Sequence, residues 1–162
     1  MASDHILAHM TMAARYDAPA FMQELAAAGN DFDVLSETVA RRDGNLPFAR
    51  LLADLRSDTM AVWAPPGGGA MGALSHVIIH GLDITTAIGL SRTATDEATQ
   101  IVLALIRTAS RTTSALPRLG GCCGRPDWRF GEGEPINASA ADLVLALAGR
   151  PRPGLDPLTP EN

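Results

Sequence analysis

The stretch SHVIIHGLDI, residues 75–84, places His76 and His80 four positions apart in a mostly apolar segment. The surrounding residues, 70–89, predict a helix that runs through at least Asp83. Residues four apart on a helix share one face with Cβ atoms about 6 Å apart, so both imidazoles can reach one metal ion at about 2.0 to 2.1 Å. Two interpretations are open: a metal site, or a helix face whose rings bond to neighbouring carbonyl or carboxylate groups.

The other two histidines, His5 and His9, repeat this spacing, so all four histidines of the chain fall into two pairs. This arrangement favours a metal site. A zinc protease of the H-E-x-x-H type is excluded, because Val77 stands where that motif needs its glutamate base. Asp83, three residues after His80, is either an acceptor for the outer N–H of that imidazole or an ordinary charge on the helix face.

Composition indicates a mainly α-helical chain. Of its 162 residues, 46% are hydrophobic and only 4% are aromatic, which suits helix packing better than a β-sandwich. The net charge of −5 argues against a nucleic-acid partner, because such binding needs clustered basic residues. No apolar run approaches the roughly 20 residues of a membrane span, and no signal peptide is evident, so we expect a cytoplasmic protein without a membrane partner. The adjacent Cys122 and Cys123 predict reduced thiols rather than a disulfide framework.

Hydrophobic periodicity and end signals predict the order of the secondary structure. Helices are expected over residues 4–18, 20–29, 31–42, 47–64, 70–89, 95–116 and 139–150, and strands around 128–130 and 135–137. The amino-acid composition changes at Pro117, after which glycine and proline become frequent. We therefore predict an up-down helical bundle over residues 1–116, followed by a small α/β region over residues 117–162.

Four segments together resemble the mycothiol-dependent maleylpyruvate isomerase family, whose metal-binding domain is a DinB-like bundle. They are LAHM (7–10), HVIIHGLDITTAIGL (76–90), DWRFGEGEPINASAADLVLALAGRP (127–151) and LDPLTPEN (155–162), and they span nearly the full chain. The resemblance implies a four-helix bundle in which three side chains from two helices bind a divalent metal, usually taken as zinc. It also implies a smaller α/β domain after the bundle.

The resemblance assigns the ligands residue by residue. His9 matches the first ligand and His80 the last, while His76 stands where the isomerase branch has a glutamate. Three histidines can bind zinc and leave one coordination position open, and the same three ligands can also bind nickel, cobalt or iron. His5 stands where relatives more often carry an acid, which leaves three roles open: a group that supports a ligand, a further ligand, or an exposed residue. Of these we favour the exposed residue.

The resemblance also implies a reaction. In this family a low-molecular-weight thiol, mycothiol, is activated at the metal and adds to a small electrophile, because coordination stabilises the nucleophilic thiolate. Arg150 matches an arginine of the family's tail motif. Two interpretations are open for it: recognition of a carboxylate on the substrate or of the thiol cofactor, or a basic cap on the end of the last helix.

One departure from the family concerns the N-terminus, where relatives carry a full helix before the segment that contains His9. If that helix is missing, an apolar groove is left open, and a second copy of the chain could cover it. We therefore expect a homodimer. The alternative to a thiol-dependent isomerase or transferase is a non-catalytic shortened bundle, with or without metal, that acts through dimerisation.

Overall fold

The computed structural model describes residues 3–90, 94–109, 119–121, 129–130, 136–152 and 154–155. Within these ranges the chain is mainly helical, which confirms the predicted fold class. The helices are α1 (Ser3–Met10), α2 (Ala18–Ala27), α3 (Phe32–Asp43), α4 (Phe48–Leu55), α5 (Asp58–Val62), α6 (Gly69–Ala87), α7 (Asp96–Ala109) and α8 (Ala140–Leu147). Cys122, Cys123 and Trp128, for which the sequence made predictions, lie outside the described residues.

The chain divides into two compact units, Met1–His76 and Val77–Asn162. The division falls inside α6, which is nevertheless one unbroken helix of 19 residues. The predicted boundary between a helical bundle and an α/β region, at residues 116 and 117, does not coincide with this division and stays a prediction.

In the first unit, α1 packs against α3 and α4. Leu7 and Ala8 of α1 form one apolar cluster with Leu51 of α4, and all three are buried. A second cluster joins Met12 to two buried side chains of α3, Leu35 and Val39. These contacts fix α1, which carries His5 and His9, on the other helices of the unit.

The first helix is shorter than the predicted span of residues 4–18, because α1 ends at Met10 and a 3-10 turn, Met12–Ala14, follows. The Thr11 hydroxyl donates to the Leu7 carbonyl at 2.7 Å, and the Arg15 guanidinium donates to the Ala8 carbonyl. Side chains therefore donate to two of the last four carbonyls of α1, which helps the helix to end here.

The helix predicted over residues 47–64 is two helices, α4 and α5, so that prediction was wrong in the middle of the segment. Pro47 occupies the N-cap of α4. Ser57 begins α5 because its hydroxyl accepts a hydrogen bond from the Met60 N–H at 3.3 Å, which satisfies one of the amide groups at the helix start.

A buried arginine joins three elements of the first unit. The Arg15 Nε donates to Asp43 at the end of α3 at 2.9 Å, and its Nη1 donates to Asp54 of α4 at 3.0 Å. The side chains of all three residues are 8% exposed. Burial raises the pKa of Asp54, but hydrogen bonds and charge from Arg50 and Arg15 outweigh it, and the net pKa is lowered.

In the second unit, α7 and α8 pack together. α8 begins at Ser139, whose hydroxyl accepts from the Asp142 N–H at 3.1 Å, as the sequence predicts. Its buried face and that of α7 are mostly apolar, with Thr99 of α7 as a buried polar residue. The buried apolar side chains are Val102, Leu103, Ala140, Leu143, Val144, Leu145 and Ala146.

Three short strands precede α8: β1 (Leu119–Gly121), β2 (Arg129–Phe130) and β3 (Ile136–Ala138). Their order is β2-β1-β3, with β1 antiparallel to β2 and parallel to β3. The sequence indicated β2 and β3 but not the glycine-rich β1. That this region corresponds to the family's α/β domain stays a prediction.

No helix in the described ranges combines the length and the apolar character that crossing a membrane requires.

We predict that Arg15→Met lowers the free energy of unfolding by about 3 kcal/mol at pH 7, because it removes the one buried cation that Asp43 and Asp54 share and leaves these carboxylates only the more exposed Arg42 and Arg50. Urea denaturation followed by circular dichroism measures this change. The control is Arg41→Met, whose partner Glu37 is 63% exposed, so that an effect of at most about 1 kcal/mol is expected.

The pH dependence of this difference in the free energy of unfolding follows from the pKa of Asp54. The pKa of Asp54 is lowered in the folded state. The ionised carboxylate therefore stabilises the fold fully above its unfolded pKa of about 3.9, and this stabilisation is lost as the pH falls through the folded-state pKa. The difference between wild type and Arg15→Met therefore narrows below about pH 4. A difference that stays constant from pH 7 to pH 3 would contradict this assignment.

Candidate metal centre

His76 and His80 lie one turn apart on α6, and both rings are half-buried. Since α6 is one unbroken helix from Gly69 to Ala87, helix geometry alone sets the placement of His80 relative to His76. The imidazoles thus project from the same face of the helix, as the four-residue spacing predicts.

His9 comes from the last turn of α1. Its Nε2 lies 3.2 Å from the Nε2 of His76, and the two ring centroids are 5.2 Å apart with a tilt of 46° between the planes. Two residues separated by 67 positions in the sequence therefore direct the same kind of nitrogen at each other.

His9, His76 and His80 each offer one ring nitrogen, and these three atoms lie within 4.8 Å of one another. Two ligands of a tetrahedral zinc ion with bonds of 2.0 to 2.1 Å are about 3.3 Å apart. The separation between His9 and His76 already has this value. The remaining distances need to shorten by about 1.5 Å at most to reach it.

The outer nitrogen of His9, Nδ1, lies 2.8 Å from the Ser36 hydroxyl oxygen on α3. When Nδ1–H donates to that oxygen, Nε2 carries the lone pair and faces His76. Such an outer contact is the usual support of a metal-binding histidine. Sequence reasoning missed Ser36, because one serine inside a helix reveals nothing about a partner 27 residues away.

The outer nitrogen of His80 lies 3.1 Å from Asp83 Oδ2. Burial raises the pKa of Asp83, but hydrogen bonds and charge from His80 and Arg150 lower it by a larger amount, so the net pKa is below the usual value. Asp83 is therefore a carboxylate at neutral pH and can only accept, so His80 Nδ1 is the donor in this contact. This is the first of the two roles that the sequence left open for Asp83.

Arg150 lies at the other side of the same carboxylate. Its Nε donates to Asp83 Oδ1 at 3.2 Å and its Nη2 to Asp83 Oδ2 at 3.0 Å, while Nη1 donates to the Ala148 carbonyl. The last bond is a cap on the end of α8, and the side chain is 36% exposed. Contact between Arg150 and a substrate or thiol stays a prediction.

Trp63, the C-cap residue of α5, lies edge-on to His76 with a distance of 5.0 Å between the ring centroids. An aromatic ring at this position restricts the orientation of the imidazole. The sequence indicated no role for Trp63, because the helix break at Ser57 that positions it was not recognised.

His5 does not belong to the group of three. Its ring is half-buried and lies against Gly44, where an added Cβ would overlap it. The favoured interpretation of an exposed residue was therefore wrong: the end of α3 covers one side of the ring, and Gly44 is the residue that allows this approach.

The pair of Nε2 atoms limits what can lie between His9 and His76. Two lone pairs at 3.2 Å repel each other, so either one nitrogen carries a proton and donates to the other, or both direct their lone pairs at a shared cation. Asp83 accepts from His80 and so favours Nδ1–H in that ring, which is the tautomer that a metal requires, while Ser36 can accept from His9 and so permits the same tautomer there.

Comparison of the chain with protein-family models, with curated proteins and with solved structures found no match. The resemblance to the maleylpyruvate isomerase family therefore stays a prediction based on the motifs quoted above. The described group of three histidines is the feature on which a functional assignment depends.

Proposed function

We propose that the protein binds one divalent metal ion through His9, His76 and His80. The observation that carries this proposal is the group of three ring nitrogens within 4.8 Å. Two of the three histidines have an outer contact of the kind that ligating histidines need, with Ser36 and Asp83. Zinc is the best match to three imidazoles and an open fourth position, and nickel, cobalt or iron would use the same ligands.

We propose further that the bound metal serves a thiol-dependent reaction. A divalent metal stabilises a thiolate at neutral pH, which makes a low-molecular-weight thiol nucleophilic. The resemblance of the HGLDI and LAGR segments to the isomerase family supports mycothiol as the thiol and a small electrophile as the substrate. The protein is then an isomerase or S-transferase of the cytoplasm.

The residues around the group of three have separate tasks in this proposal. Ser36 and Asp83 hold two of the rings in orientation, and Trp63 covers one side of the third. The three rings remain half-buried rather than fully enclosed, which is compatible with entry of a small molecule. Three of the five guanidinium N–H groups of Arg150 donate to acceptors in the described part of the chain, and we propose that the remaining two contact a substrate carboxylate.

We predict that the wild-type protein holds about one equivalent of divalent metal after dialysis and that His80→Ala loses it, because two imidazoles bind a metal much more weakly than three. Elemental mass spectrometry on untagged protein measures the content. His5→Ala is the matched control, since His5 has the same side chain and lies on α1 outside the group; it should keep the metal.

Circular dichroism establishes that each variant is folded before its metal content is compared. Equal metal content in wild type and His80→Ala, or metal in neither, would contradict the site. In the second case His76 and His80 would be an ordinary helix face.

The thiol is tested on cobalt-loaded protein. We predict that a low-molecular-weight thiol produces a thiolate-to-cobalt charge-transfer absorption band and that the matching alcohol does not, because only the thiol supplies a soft anionic ligand. Absorption spectroscopy with increasing thiol measures this, with His80→Ala as the control without a complete site. A metal-loaded protein that gives no band would favour the non-catalytic alternative, and sedimentation would then test whether that protein is a homodimer.

A further inference from the structure

We propose that Arg150 is a positioning residue that acts through Asp83 to hold His80 in the tautomer and orientation needed for metal binding. The inference rests on the proposed metal site for its functional meaning. Its structural basis, the contact of Arg150 with Asp83 and of Asp83 with His80, lies entirely within the second unit.

One carboxylate serves both neighbours. Asp83 Oδ2 accepts from His80 Nδ1 at 3.1 Å and from Arg150 Nη2 at 3.0 Å, and Asp83 Oδ1 accepts from Arg150 Nε at 3.2 Å. Two parallel bonds from a planar guanidinium fix the plane of the carboxylate as well as its position. The oxygen that faces His80 is therefore held by a residue 67 positions away from Asp83.

The contact between His80 and Asp83 is largely buried. The side chains of His80 and Asp83 are only 18% and 15% exposed, so water is a poor replacement for a lost partner. Without the guanidinium the carboxylate can rotate away, and a neutral imidazole without a fixed acceptor can carry its proton on either nitrogen. A proton on Nε2 prevents that nitrogen from binding a metal.

Arg150 is itself fixed by the end of α8. Its backbone N–H donates to the Leu145 carbonyl at 2.9 Å, and its Nη1 donates to the Ala148 carbonyl. Gly149 makes this turn possible, since its φ of +80° is the left-handed conformation that glycine adopts without strain. The LAGR segment thus aims the guanidinium at Asp83, which gives its arginine a role besides capping the helix.

The first measurement is the tautomer of His80 in the metal-free protein, read from the ¹⁵N chemical shifts of its ring nitrogens by NMR. The wild type should show the proton on Nδ1, and Arg150→Met should show a mixture of both tautomers. The control is Arg152→Met, which removes an arginine two residues away that pairs with Asp142 and not with Asp83; it should match the wild type.

The second measurement is the zinc dissociation constant, obtained by competition with a chromophoric chelator. Arg150→Met should bind zinc more weakly by up to about 10-fold, less than the full loss expected when the direct outer partner of a ligating histidine is removed, because Asp83 itself remains. Arg152→Met should bind as the wild type does. Arg150→Lys keeps the charge without the two parallel bonds and should also weaken binding, which supplies a second variant if Arg150→Met fails to fold.

An unchanged His80 tautomer in both Arg150 variants would overturn the inference, whatever happens to zinc affinity. If the wild type binds no zinc, the proposed metal site fails, while the tautomer comparison still decides whether Arg150 positions His80. The failures of the two proposals are therefore distinguishable.

Discussion

The buried guanidinium of Arg15 is the constraint on which the first unit depends. It reaches Asp43 on α3, Asp54 on α4 and the Ala8 carbonyl of α1, and so joins the end of α1 to both neighbouring helices. Apolar contact through Leu7 adds burial but does not fix direction, whereas charged hydrogen bonds do. α1 must be held in this way if His9 is to face His76 with 3.2 Å between the nitrogens.

The candidate metal centre combines ligands and supports from separated parts of the sequence. α6 supplies two imidazoles at a spacing that helix geometry guarantees, and α1 supplies the third. Ser36 from α3 stands behind His9, and Asp83 with Arg150 stands behind His80. Asp83 accepts a hydrogen bond from the outer N–H of His80, and Ser36 can accept one from the outer N–H of His9. Both contacts are compatible with the tautomer whose inner nitrogen can bind a cation.

Periodicity and end signals predicted much of the fold, because they depend on nearby residues. The Ser139 cap of α8, the glycine that ends it and the amphipathic pattern of α7 are local in this sense. The end of α1 and the break at Ser57 were missed. Arg15, whose acidic partners lie 28 and 39 residues away, helps to set the first, and the second lies in a segment that was interpreted as one helix although Ser57 is a local cap. In the site, the i, i+4 histidine pair and Asp83 were readable from spacing, whereas Ser36 and Trp63 depend on long-range packing that spacing does not encode.

X-ray absorption spectroscopy at the zinc edge of zinc-loaded protein tests the central claim, that three imidazoles bind one metal, most directly. Coordination by His9, His76 and His80 predicts nitrogen or oxygen neighbours only, at about 2.0 to 2.1 Å, with the outer-ring scattering of three histidines. Sulfur neighbours at about 2.3 Å, which would indicate cysteine ligands, or scattering from fewer than three histidines would contradict three-histidine coordination.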